Sequence, residues 1–428
     1  MQSLLSAKTF HYMGRDAVLL AHDKARVVID LLGGMMPEFS VKRERGFLNA
    51  HWIPDFRGNA ETLWSDREHL SYWKAKLLYN IAGDFPCVPN FGSECRIDDI
   101  EMPIHGFSAN EMWTLKDLGV SEEERFAWAR FSLESPNPSY TLSLYKTDII
   151  FHGQPAYFSI LSIRNSGERS LSITVGRHNT LGSPFLQAGC KISLAANHFA
   201  TPPAYRGTEE GGRLAIDTEF ECLNEAPLRN GGIADISYVP GMIGTTDFIT
   251  GAIPVNLVIG WSCVVNPVLC LAYVSFFPGD IGLPKNEITL GFNDMWMQYG
   301  GRKYTPWALH EGGADRTFCL GAENATAGFA NGLSWSLSHP KILGKDTFIE
   351  IPAGCERRLC YGTALLDINS DLVSEGVTRI EAEESALILI GKRSSIRFKM
   401  DAMFVNARRL YEALERGQIK STSGELKE

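Results

Sequence analysis

Apolar residues in this chain recur in short runs separated by turn residues, and only one segment repeats with a clear helical period. Residues 25–32 form an apolar run that Gly33-Gly34 ends. Residues 140–151 predict a long strand turning at His152-Gly153. Residues 156–163 run back to Asn165-Ser166-Gly167, and 170–175 follow, so an antiparallel meander is expected with His178 just past its end. Further strands are predicted at 233–238, 287–291, 317–320, 348–351, 357–364 and 386–390. Residues 251–279 carry no charge, a stretch longer than the ~20 residues that span a bilayer. Pro254, Pro267, Pro278, Asn256 and Asn266 interrupt it, which favours two buried strands, 255–264 and 268–277, about an Asn266-Pro267 turn. The helical exception is 401–416, where Phe404, Ala407, Leu410, Tyr411 and Leu414 share one face, Asp401 can cap the start and Gly417 the end. A polar tail follows it, and 64–78 is read as a second, shorter helix.

No low-complexity linker, charge block or fixed-period repeat divides the chain. The expectation is a mainly β, antiparallel fold with few helices, built as one very large sandwich over 1–428 or as two sandwiches that the pattern does not separate. A net charge of -9 and a pI near 5.7 argue against a nucleic-acid partner and disfavour phosphate-rich ligands. Nine cysteines without a CxxC pair, behind an N-terminus lacking a continuous apolar segment, read as buried free thiols of a cytoplasmic protein. No membrane span is expected. The oligomeric state is left open, a homodimer being one option.

Three segments carry the candidate chemistry. They are Ile104-His105-Gly106-Phe107 with Asn110 and Trp113, Arg177-His178-Asn179 with Leu181-Gly182, and Gly321-Ala322-Glu323-Asn324. A charged imidazole and an ionised carboxylate together can protonate one oxygen while deprotonating another, which suits a neutral, oxygen-rich substrate. Asn90, Asn110 and Asn179 offer hydrogen-bond partners to such a substrate, and Trp113, Trp296 and Trp307 offer it apolar surface. His310, beside Glu311 and Gly312-Gly313, reads as an exposed turn, as do His152 and His198. No HxH, HExxH or clustered aspartate pattern asks for a metal.

In these segments the chain resembles the galactose mutarotase-like superfamily, the aldose 1-epimerases and their relatives. Gly83-Asp84-Phe85-Pro86 through Pro89-Asn90-Phe91-Gly92 is similar to its Gly-x-x-Pro…Pro-Asn-x-Gly loop. Pro103 to Asn110 with Trp113 is similar to its Pro-x-His-Gly-Phe-x-Arg-Asn-x-x-Trp stretch, and His178 to Gly182 with Pro184-Phe185 to its second histidine. Cys319 to Asn324 sits where its catalytic glutamate would fall. The match runs in order over roughly 20–365. The resemblance implies an antiparallel β-supersandwich, no cofactor, and an isomerase that interconverts the α and β anomers of a sugar. It assigns Glu323 as general base, His178 as general acid and His105 as a sugar-binding histidine, with Glu323 ionised and His178 charged. Two departures bear on the substrate. The motif's arginine is Ala109 here, which argues against a phosphorylated sugar, and the aspartate that holds sugar hydroxyls has only Asp294 as a stand-in. A non-catalytic carbohydrate-binding protein, or a lyase or hydrolase on the same scaffold, are the competing readings. A hydrolase would need a second acid, such as Glu111 or Asp294.

Overall fold

The structure, a computed structural model, describes residues 5–57, 76–121, 123, 125–203, 212–302, 307 and 317–419. Residues 64–75 of the second predicted helix, the His310 to Gly313 turn, and the tail from 420 onward lie outside the described residues. Of that second helix, Lys76–Asn80 is seen.

Among the described residues the strands build two eight-stranded sheets. The supporting sheet runs in space from Lys191–Leu194 through Ile259–Asn266, Leu271–Pro278, Glu356–Asp367, Ala156–Asn165, Leu142–Phe151 and Phe126–Glu134 to Thr114–Ser121. The site sheet runs from Glu219–Phe220 through Phe199–Ala200, Thr245–Ala252, Phe292–Tyr299, Phe318–Ala325 and Gly176–Arg177 to Pro86–Cys87, with Thr180–Leu181 also pairing with Phe318–Ala325. All these pairings are antiparallel. The sheets face each other across one apolar core, in which Ile249, Met295 and Leu320 of the site sheet meet Leu161, Tyr273 and Tyr361 of the supporting sheet.

The supporting sheet is covered on its other face as well. Phe158, Trp261, Val274 and Phe276 form a second core there with the Arg379–Glu383, Ala386–Ile390 and Ser395–Lys399 strands and the C-terminal helix. Burial on both faces explains why 259–278 reads as a continuous apolar run rather than an alternating one. The C-terminal helix spans Val405–Glu415 and buries Ala407, Leu410, Tyr411 and Leu414. Asp401 does cap it, accepting from the backbone N–H groups of Asn406 (3.0 Å) and Ala407 (2.8 Å). The nine cysteines are all free thiols.

Several elements differ from expectation. Leu171–Ile173 leaves the meander and pairs with Ile349–Ile351. Glu356–Asp367 occupies the edge it would have taken, and the Asn165 amide donates to the carbonyls of Arg169 (2.7 Å) and Ile351 (2.9 Å), diverting the chain. Residues 287–291 make no strand, only a bridge from Glu287 to Arg358, and 233–238 shrinks to Ile233–Ala234. The uncharged stretch does form strands, Ile259–Asn266 and Leu271–Pro278, and no helix among the described residues is long and apolar enough to cross a membrane. The largest change is at 317–320, which extends to Phe318–Ala325. Glu323 therefore lies within a strand.

Candidate active site

Strand alternation builds the site. In Phe318–Ala325, Leu320 and Ala322 face the sandwich core, so Cys319, Gly321 and Glu323 face outward. Phe292–Tyr299 places Met295 and Met297 inward and Asp294 and Trp296 outward. The two strands pair so that Asp294 stands directly opposite Glu323, and Trp296 opposite Gly321. His178 follows Gly176–Arg177 on the same outward face, flat against Phe85 at 4.6 Å between ring centroids.

Loops cover this face and bring in His105. Its backbone is left-handed (φ 58°), an uncommon conformation for a residue with a side chain. Reciprocal bonds hold it there: His105 N–H donates to the Gly92 carbonyl (2.9 Å), and Gly92 N–H donates to His105 Nδ1 (3.2 Å). The second bond leaves the Nε2 proton free to face a ligand. The His105 ring meets the His178 ring edge-on at 4.7 Å.

The chemical centre is the approach of His178 Nε2 to Glu323 Oε1 at 3.4 Å. The Thr180 hydroxyl lies 2.9 Å from His178 Nδ1 and, as acceptor of the Nδ1 proton, leaves the Nε2 lone pair facing Glu323. Glu323 Oε2, Asp294 Oδ2, Trp296 Nε1 and Trp307 Nε1 are buried without a hydrogen-bond partner among the described residues. Four such atoms beside one imidazole–carboxylate contact make a polar centre in an apolar wall. The wall is aromatic. Trp296 packs edge-on against His178 (5.8 Å), Trp52 (5.9 Å) and Trp307 (5.7 Å), and the Arg302 guanidinium lies over Trp307 at 4.4 Å.

Burial sets the resting charges, and it opposes the ionised glutamate and charged histidine expected from sequence. His178 is pushed down to about 4, and His105 well below its usual value by burial and by His178. Asp294 is raised to about 8 by burial, although the Thr250 hydroxyl and Phe329 N–H donate to it. Glu323 is raised well above the carboxylate range, by burial first and by Asp294 second. Two carboxyls opposed across a strand pair without a full solvent shell cannot both ionise cheaply.

The remaining candidates divide between the site wall and other places in the fold. Asn90 donates to the carbonyls of Ser93 (2.8 Å) and Pro103 (3.0 Å) and accepts from Leu333 N–H (2.7 Å), so its capacity goes into tying loops together. Asn110 donates to Ile104 (2.9 Å) and Gly106 (2.7 Å) and closes the loop that carries His105. Trp113 is in the main core, its indole donating to the Ser108 carbonyl at 2.8 Å. Asn179 follows His178 and so turns to the other face, beside Tyr273. Trp296 and Trp307 are in the site wall. Glu111 is exposed, away from the acid pair. Phe85, Trp52 and Thr180 were not anticipated as site residues. Phe85 could have been found, because it sits in a quoted motif between Asp84 and Pro86.

No protein-family model matches the sequence, and no curated protein is similar to it. Solved structures are. A candidate aldose 1-epimerase from Klebsiella pneumoniae superposes with a TM-score of 0.62 at 11% identity, covering 86% of this chain and 85% of that one. A galactose mutarotase-like protein from Clostridium acetobutylicum gives 0.54 at 12% identity, over 85% of this chain and 99% of the other. A candidate mutarotase from Salmonella typhimurium gives 0.52 at 12%, over 86% and 95%. The fold is galactose mutarotase-like.

Two expectations follow from the geometry of this site. A Cβ at Gly321 would lie 2.6 Å from Glu323 Oε1 and 3.1 Å from Trp296 Cβ. The nearer atom ends a flexible side chain, so Gly321→Ala should fold while swinging the carboxylate out of place. Thermal denaturation should change little, whereas any activity of the site should fall on the order of 10²-fold. Asp294→Asn tests the acid pair through stability. The native carboxyl at about 8 holds its proton above the pH at which the unfolded chain releases it, so its stabilising effect is complete below the unfolded value and is lost as pH rises towards 8. The loss is ~1.4 kcal/mol per pH unit in that window. The variant should therefore melt higher than wild type at pH 8 and close to it at pH 4.

Proposed function

We propose that the chain is a carbohydrate isomerase of the aldose 1-epimerase type, acting on an unphosphorylated sugar by acid/base ring opening. One observation carries this reading: His178 Nε2 and Glu323 Oε1 are 3.4 Å apart on one face of a buried, aromatic-walled site. The two oxygens of a hemiacetal are bonded to one carbon. The groups that deprotonate one and protonate the other must therefore be close neighbours, as this pair is. Glu323 takes the proton of the anomeric hydroxyl and His178 gives one to the ring oxygen. The ring opens to the aldehyde, the C1–C2 bond rotates, and the steps reverse. Each such catalyst contributes ~10²–10⁴-fold.

The resting protonation fits this scheme. A protonated Glu323 with a neutral His178 differs from the reactive ion pair by one proton moved across their contact. Sugar hydroxyls donating to Glu323 Oε2 and Asp294 Oδ2 supply the solvation those atoms lack and shift the proton to the imidazole. His105 Nε2–H donates to a sugar oxygen, and Trp296 and Trp307 offer apolar surface to its C–H faces. Ala109, in place of the motif's arginine, leaves a phosphate without that partner.

Saturation-transfer NMR of anomer exchange over a panel of free and phosphorylated aldoses tests this. Faster exchange of a free sugar is expected. Preference for a phosphorylated sugar would overturn the substrate part. Binding without faster exchange would favour a carbohydrate-binding protein. The Asp294–Glu323 pairing also favours a second reading. Opposed strand residues have Cβ atoms ~4.5–5.5 Å apart, near the ~5–5.5 Å between the carboxyls of a retaining glycosidase. Cleavage of aryl glycosides with no anomer exchange would select it.

A further inference from the structure

The alternation that turns Phe85, His178, Glu323 and Asp294 to the site face turns their chain neighbours Asp84, Arg177, Asn324 and Asn293 to the interior. Those four are joined through one side chain of the supporting sheet, Ser275. Asp84 accepts from Arg177 Nη2. Arg177 Nη1 donates to Ser275 Oγ at 2.7 Å, Ser275 donates to Asn324 Oδ1 at 2.6 Å, and Asn324 Nδ2 donates to Asn293 Oδ1 at 2.7 Å. The line ends where Asn293 Nδ2 donates to the Trp261 carbonyl at 3.2 Å. Strand register supports it, since Arg177 stands opposite Asn324 and Asn324 opposite Asn293. All five side chains are buried, none more than 1% exposed.

We propose that this interior chain, Asp84–Arg177–Ser275–Asn324–Asn293, is the positioning device of the site, fixing His178, Glu323 and Asp294 relative to one another from behind the sheet. Its consequence for anomer exchange rests on the proposed function; its consequence for site geometry does not. The line runs through an apolar core, with the Thr363 and Tyr157 hydroxyls also bonded to Arg177, and a buried charge pair is seldom more stabilising than apolar side chains of equal volume. A satisfied buried network instead fixes one arrangement of the strands that carry it. Here each member is bonded in sequence to a site residue or bridges two that are. These are positioning residues, because none of them touches the reacting atoms.

Ser275→Ala cuts the line at a residue outside the strands that bear the site. Ser159→Ala is the matched control: Ser159 is equally buried in the supporting sheet and donates to Asp148, which is not in the line. Two readouts are taken on the full-length protein. The first is the ¹⁵N shifts of the His178 ring, assigned by their loss in His178→Gln. The second is kcat and KM for anomer exchange. Ser275→Ala should shift the His178 signals and lower kcat about tenfold with KM held, whereas Ser159→Ala should do neither. Unchanged ring shifts and kcat in Ser275→Ala, or equal effects from Ser159→Ala, would overturn the proposal. If Ser275→Ala does not fold, Ser275→Cys, with its weaker bonds, should move the same signals part of the way, and an unmoved spectrum overturns the proposal. A wild type that exchanges no sugar would refute the proposed function and leave the ring shifts to decide this one.

Discussion

Glu323→Gln is expected to lower anomer exchange by ~10²–10⁴-fold, equivalent to ~3–5.5 kcal/mol of barrier. Glutamine keeps the volume and one carbonyl oxygen 3.4 Å from His178 Nε2, but it can neither take nor return a proton. The pH dependence should change with it. Burial and Asp294 raise the Glu323 carboxyl, while burial pushes His178 down to about 4. Wild-type exchange should therefore be level while Glu323 and His178 hold one proton between them and fall as pH rises and that proton is lost, whereas the variant should lack that fall. Stability separates this from misfolding. A carboxyl raised in the native state lends its stabilisation at low pH and loses it as pH rises, so the glutamine variant should melt no lower than wild type at pH 8. A stable variant that still exchanges sugar at the wild-type rate would remove Glu323 from the mechanism.

The shared face of Asp294 and Trp296 was legible only in part. They are two apart, so any strand through 292–299 puts both on one face, but the apolar pattern predicted strands at 287–291 and 317–320 and none between them. The same rule speaks against Asn179, which follows His178 directly and turns the other way. Asn90 and Asn110 are taken up by their own loops for another reason. A loop without strand partners must satisfy its own backbone, and an asparagine beside proline or glycine is the side chain that does so. Trp113 is a core residue because a large ring next to a tight turn fills volume wherever it falls. Strand ends were misplaced where pairing, rather than composition, ends them. Leu171–Ile173 lost its expected neighbour to Glu356–Asp367, nearly two hundred residues away in sequence. The charge states were not legible at all. The motif asks for an ionised pair, but the shifts come from the depth of Glu323 and Asp294 and from their register, both products of tertiary packing.

Asp84→Ala is expected to destabilise the protein by ~3–5 kcal/mol, because it leaves the Arg177 guanidinium buried without its counter-ion. Asp84 Oδ2 accepts from both Arg177 and the Tyr157 hydroxyl, so two donors lose their acceptor together. The melting temperature should fall by roughly 3–6 °C. Burial alone would raise the Asp84 carboxyl, but Arg177 outweighs it and the net shift is downward. A depressed native value means that the stabilisation is complete above the ordinary aspartate range and disappears as pH falls through the native value. The gap between wild type and variant should thus be widest and constant near neutral pH and close in acid, the opposite of the trend for Asp294→Asn. The double variant Asp84→Ala with Arg177→Met removes both charges and should recover much of the lost stability. It should not recover anomer exchange, since the chain behind His178 and Glu323 stays cut. Stability restored together with full exchange would mean that this pair only fills the interior, and that the site keeps its shape without it.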